Sequence, residues 1–200
     1  MQTKFTQLIL FFVIFGPASL LGQTEDRWQL HFLTGVYSPI EDEMQNIYGD
    51  GIIGKIVFTS PIGEHGRLKF SGTYFGLKGD PFYRSRDFDA GDAGKLTLGG
   101  FSFTLETSPK SAGNPKLYFG AGIDYLFGRE KITGIKASHG GAIGMHLSIS
   151  PNIRLSNKIA FVAEASYQFQ EITFKESKNR YRLNLSGANL LFGLAYVFVQ

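Results

Sequence analysis

From residue 51 onward, large apolar residues alternate with small or polar ones, and the stretches joining these runs are by turns short and long. Successive strand side chains point to opposite faces, so a period of two gives each run one greasy face and one small or polar face. The clearest run sets Leu117, Phe119, Ala121, Ile123, Tyr125 and Phe127 against Lys116, Tyr118, Gly120, Gly122 and Asp124. Closing such runs into a barrel removes the sheet edges that would otherwise pair with other chains.

The first residues read as an export signal. Lys4 supplies a positive start, residues 8–15 an apolar stretch, and Gly16 and Pro17 a break before the small residues that end at Gly22. A transmembrane anchor needs about 20 apolar residues, and this run is shorter. The expected division is therefore a signal peptide over 1–22 and one domain over 23–200. No later segment is long and apolar enough for a membrane helix, so any span has to be made of strands. The chain has no cysteine, which excludes a disulfide framework and a lipid-modified cysteine. A net charge of +3 is too balanced to point to nucleic acid or to a polybasic membrane patch.

The alternation places eight strands near 27–37, 51–60, 67–78, 95–107, 116–128, 141–150, 158–170 and 187–199. Most have the length of a tilted membrane-crossing strand, about 9 to 11 residues. The connectors 61–66, 108–115 and 151–157 are compact and rich in Pro, Gly, Ser and Asn, which is turn chemistry. Those at 38–50, 79–94, 129–140 and 171–186 are longer and more charged. Short turns on one side and long loops on the other are the habit of outer-membrane barrels, with the turns and both termini in the periplasm. One run breaks rhythm: Leu96 and Leu98 share one parity, Phe101, Phe103 and Leu105 the other, with Gly99 and Gly100 between. A bulge at the two glycines would restore a single apolar face.

Residue size decides which face meets lipid. Rows such as Leu190, Phe192, Leu194, Tyr196 and Phe198 are too bulky to pack together inside an eight-stranded lumen, which is only just wide enough for side chains to fill it. The opposite rows, such as Ala142, Gly144, His146, Ser148 and Ser150, are small and seldom charged, unlike a water-exposed surface. The bulky rows are therefore expected outside. Trp28, Tyr196 and Phe198 would mark one aromatic belt, and Tyr74, Tyr125, Phe127, Tyr167 and Phe169 the other.

Three segments carry a resemblance: Gly35-Val36-Tyr37-Ser38-Pro39, Tyr118-Phe119-Gly120-Ala121-Gly122, and Phe192-Gly193-Leu194-Ala195-Tyr196-Val197-Phe198. Over roughly 27–200 the chain resembles the small eight-stranded outer-membrane barrels, the OmpA-like and OmpX-like group. That resemblance implies an all-β, antiparallel, up-and-down transmembrane barrel in a Gram-negative outer membrane. It implies lipid and lipopolysaccharide as surroundings and the barrel-assembly machinery as a partner. It also implies a lumen plugged by polar side chains, for which the inward parity offers Lys55, Lys69, Lys95, Glu106, Lys116, Asp124, His146 and Glu164. Buried charges cost several kcal/mol unless paired, so these residues are expected to form ion pairs that hold the interior shut.

Catalysis has one candidate. His146-Leu147-Ser148, with Glu164 on the next strand, is similar to the His-x-Ser-Asn motif of barrel deacylases, but Ile149 stands where the Asn belongs. Both residues have lumen parity, away from a lipid substrate, so no catalytic residues are assigned. The acidic run Asp87, Asp89, Asp92 lacks the remaining ligands of a calcium loop, and His31, His65 and His139 lack metal spacing, so neither metal nor cofactor is expected. The expected role is non-enzymatic, structural or surface-interacting, through an unidentified extracellular ligand. Its working residues are Tyr83, Arg84 and Arg86 in one loop and Lys178, Arg180, Tyr181 and Arg182 in another. A periplasmic lipocalin-like binder, a lipid A-modifying enzyme and a narrow pore are the alternatives.

Overall fold

Each alternating run becomes a strand, and all the strand pairings are antiparallel. In the computed structural model, residues 27–79, 94–109, 115–132, 137–176 and 179–198 are described. The expected signal peptide lies outside them. The elements are β1 (Gln29–Pro39), α1 (Asp42–Tyr48), β2 (Gly51–Ile62), β3 (Gly66–Gly79), β4 (Gly94–Thr107), β5 (Lys116–Ile132), β6 (Ser138–Arg154), β7 (Ile159–Phe169), β8 (Glu171–Glu176), β9 (Asn179–Asn184) and β10 (Gly187–Val197).

The ladder runs β1 to β2 and on to β7, then β10, which pairs back with β1 and closes the barrel. The closing seam is tight. A Cβ on Gly193 would sit 1.8 Å from the Phe32 carbonyl oxygen, so only glycine lets β10 lie this close to β1. β7 and β8 share one register against β6 across the interruption at Gln170, and β9 continues β10 in the same way. The wall therefore has eight strands, the last two prolonged as a hairpin. Residues 171–186, expected as a charged loop, are for the most part paired strand. The error has a physical source: Lys175, Arg180 and Arg182 suggest solvent, but they occupy only the outer face, while Ile172, Phe174, Leu183 and Leu185 are buried.

The short connections lie at the end that holds both described chain ends. There Gly63 adopts φ +60° in the β2–β3 turn, and Ser156 Oγ accepts hydrogen bonds from the amides of Lys158 and Ile159. Phe198 N donates to Trp28 O, tying the two ends together. The opposite end carries α1 and the β8–β9 hairpin.

β4 holds no bulge. Leu98, Gly99, Gly100 and Phe101 face Phe75, Tyr74, Thr73 and Gly72 in unbroken order. Leu96 and Leu98 consequently point inward and are fully buried, whereas Phe101 is 66% exposed on the outside. No bulge is required because this part of the lumen is itself apolar: Leu96 and Leu98 pack with Tyr37, Phe75, Leu77, Leu126 and Phe174.

The outer wall exposes Phe32, Ile56, Phe70, Ile123, Ile143, Leu147, Leu190 and Leu194 among other large apolar side chains. Aromatic pairs flank this band. Trp28 meets Phe58 and Tyr196 meets Phe198 near the chain ends, while Tyr125 with Phe127 and Tyr167 with Phe169 lie toward the loops. Among the described residues, no helix is long and apolar enough to cross a membrane.

Candidate functional site

Strand parity sends one polar row inward from almost every strand, and these rows meet on the barrel axis. Lys55 Nζ on β2 donates to Glu164 Oε1 on β7 at 2.8 Å, and Lys69 on β3 also bonds Glu164. Lys69 Nζ lies 3.2 Å from Glu106 Oε1, and Arg67 Nε donates to Glu106 Oε2 at 2.5 Å. Two carboxylates thus hold three cations, all nearly or completely buried. Arg67 has two further nitrogens that find no hydrogen-bond partner among the described residues, but its guanidinium carbon stands 3.5 Å above the Tyr118 ring. A cation over an aromatic face recovers part of the solvation lost on burial.

Beside this cluster, His146 Nδ1 lies 2.8 Å from Asp124 Oδ2, and its Nε2 lies 2.9 Å from Thr104 Oγ1. A hydroxyl, an imidazole and a carboxylate in line resemble the chain that activates a nucleophile. Thr104, however, is 0% exposed, so no substrate atom reaches its oxygen. Ser148, the candidate nucleophile of the sequence motif, makes no hydrogen bond to His146, and its buried Oγ is without a partner among the described residues. The geometry is that of an interior hydrogen-bond network. His31 and Gln29 form a second interior contact at 3.1 Å, and Asn152 donates to the same Gln29 oxygen at 3.0 Å.

Of the residues expected inside, Lys55, Lys69, Glu106, Asp124, His146 and Glu164 meet in the lumen. Lys116 is half-buried with its ammonium 5.6 Å from the Tyr118 ring centre. Lys95 stands on the outer wall, because the parity change expected from a bulge does not occur. Arg67 was missed, although it shares parity with Lys69 and Ser71.

Toward the loops the lumen is closed a second time. α1 lays Met44, Ile47 and Tyr48, spaced for one helical face, into the apolar cluster. Tyr48 and Tyr181 both donate to the buried Glu130 carboxylate of β5. Tyr181 also stacks on Phe174 with ring centres 5.5 Å apart. Tyr181, expected to be a loop contact, is thus a half-buried anchor of the hairpin, while Arg180 and Arg182 face outward. Tyr83, Arg84, Arg86 and Lys178 lie outside the described residues, as do Asp87, Asp89 and Asp92. Among the described residues no cluster has metal-binding composition.

Solved structures share this architecture. The outer membrane protein OprG from Pseudomonas aeruginosa superimposes with a TM-score of 0.69 at 11% identity, over 86% of this chain and 96% of that one. The fold is that of the small outer-membrane barrels. Neisserial surface protein A matches the same barrel with a TM-score of 0.57 at 14% identity, over 86% of this chain and 96% of the other. The outer membrane protein AlkL, solved in lipid bilayers, matches it at 0.52 and 12% identity, over 92% and 95%. No family model and no curated protein sequence matches the chain.

Proposed function

We propose that this chain is a non-enzymatic, integral outer-membrane barrel of a Gram-negative cell, with both termini in the periplasm and its loop end presented outside. The observation that carries the reading is the inverted distribution of side chains: large apolar groups cover the exterior, and ion pairs fill the axis. A water-soluble ligand carrier needs the reverse. Short turns beside the termini and longer elements at the far end support the orientation. The barrel-assembly machinery is the expected partner in biogenesis.

The working surface is the loop end. The hairpin holds Arg180 and Arg182 outward on paired strands, and Tyr83, Arg84, Arg86 and Lys178, outside the described residues, complete the proposed contact set for an external ligand. A lumen closed by two ion-paired carboxylates and an apolar plug favours a structural or recognition role over conduction.

Comparing unheated and boiled samples in detergent gels tests the architecture, with a heat-dependent change of mobility expected. Recovery in the soluble periplasm without detergent would overturn it. Unchanged lipid A acylation in cells lacking the protein is the expected result for a non-enzyme.

A further inference from the structure

We propose that the outer wall near the loop end binds a phosphorylated lipid, with the phosphate on a row of outward cations and the acyl chains in a groove beneath them. The inference rests on the membrane reading above and names a partner for that wall. The basic side chains of this row come from six elements, β3, β4, β5, β6, β8 and β9, and are brought together by register alone. Lys78 on β3 is directly opposite Lys95 on β4, and Lys95 is opposite Lys131 on β5. Arg129 is opposite His139 on β6, which is opposite Lys175 on β8, itself opposite Arg180 on β9.

All seven side chains are exposed on the outer face. Like charges directly across a ladder repel each other, and Lys78 with Lys95, Lys95 with Lys131, and Lys175 with Arg180 are such pairs. Acids do not relieve them within the described wall. Glu171 is the one outward carboxylate among the described side chains of β3 to β9, and Arg182 engages it at 3.3 Å. The row thus calls for an external anion. On β5 it begins at Arg129, the next outward position after Phe127, so the anion it meets there is at headgroup depth.

Below the row runs a groove of about 840 Å³ on the same wall, within the range of ligand sites. Gly54, Gly72 and Gly99 form its floor, and Phe32, Ile56, Tyr74, Phe101 and Phe127 its sides. Arg129 and His139 stand at its upper end, so an apolar trough meets the cationic row. That is the charge and shape complement of a lipid with a phosphate head. A Cβ on Gly72 would meet nothing within 4 Å, which leaves the trough open to a chain.

Native mass spectrometry of the full chain in detergent tests this, using diphosphorylated lipid A and the same lipid stripped of phosphate. Every sample is first checked for heat-dependent gel mobility. A chain that lacks it overturns the membrane reading, whereas a folded barrel without lipid selectivity overturns this inference alone. The wild type is expected to retain the phosphorylated lipid at least tenfold better, with the preference shrinking in high salt. The combined variant K95Q, R129Q and K131Q is expected to lose the preference. Gly72→Leu, which fills the groove without a backbone clash, is expected to weaken retention of both lipids. Equal retention of the two lipids by the wild type, or an unchanged preference in the triple variant, would overturn the phosphate site. Unchanged retention by Gly72→Leu would overturn the seat of the chains.

Discussion

Lys55 on β2 reaches across the barrel to Glu164 on β7, its ammonium 2.8 Å from the carboxylate. The two strands are separated in the wall by β1 and β10, so the contact spans the lumen instead of following the ladder. Lys69 shares the same carboxylate, which makes Glu164 a tie between opposite walls.

Glu164→Gln should therefore destabilise the barrel strongly. It leaves the buried Lys69 with only Glu106 and strips Lys55 of its partner, a loss of about 3 to 5 kcal/mol for a broken buried pair. Lys55→Met removes the more accessible cation and should cost less. Urea unfolding in detergent micelles, followed by loss of the folded gel band, ranks the two.

Tyr118→Leu should weaken the barrel through Arg67. The leucine keeps apolar volume but offers no negative ring face to a guanidinium 3.5 Å away. A cost of about 1 to 2 kcal/mol is expected in the same unfolding assay. Tyr118→Phe keeps the face and should cost less.

Glu130→Ala should loosen the loop end without disturbing the wall. Tyr48 and Tyr181 both donate to this carboxylate, so α1 and the hairpin lose a common anchor. Hydrogen bonds to a charged acceptor contribute about 1.5 to 3 kcal/mol, so exchange of α1 and β9 amides should quicken by at least about tenfold. Hydrogen–deuterium exchange by mass spectrometry reads this, with β2 and β10 amides unchanged.

Spin labels on β4 test its unbroken register. The chain has no native cysteine, so Leu98→Cys and Phe101→Cys each give a single label. Position 101 should be accessible to lipid-soluble oxygen and position 98 shielded from it. A bulge would make both accessible.

Most of the wall was legible because an eight-stranded lumen punishes the wrong parity at every second residue. The placement of Leu191 and Ala195 inside and Phe192 and Leu194 outside follows from size alone. The same rule failed at Leu96 and Leu98, where apolar was read as lipid-facing. Near the loop end the interior is closed by hydrocarbon, so hydrophobicity no longer reports the outer face. Lys95 was misplaced with them. The hairpin was hidden by its outward cations, though Ile172 with Phe174 and Leu183 with Leu185 already alternate at the strand period. α1 was read as loop because it is short, although Met44, Ile47 and Tyr48 mark one helical side. Which lysine would meet which glutamate depends on barrel shear, which a single chain's alternation does not encode.

The unbroken register from β7 into β8 and from β10 into β9 has a mechanical consequence. Each six-residue arm extends about 20 Å along the strand direction, braced by its partner and by the rings of Phe174 and Tyr181 stacked midway along it. A peptide spliced between Glu176 and Asn179 would inherit that stiffness. It would be held at a set height and in a set direction, on a mast and not on a tether.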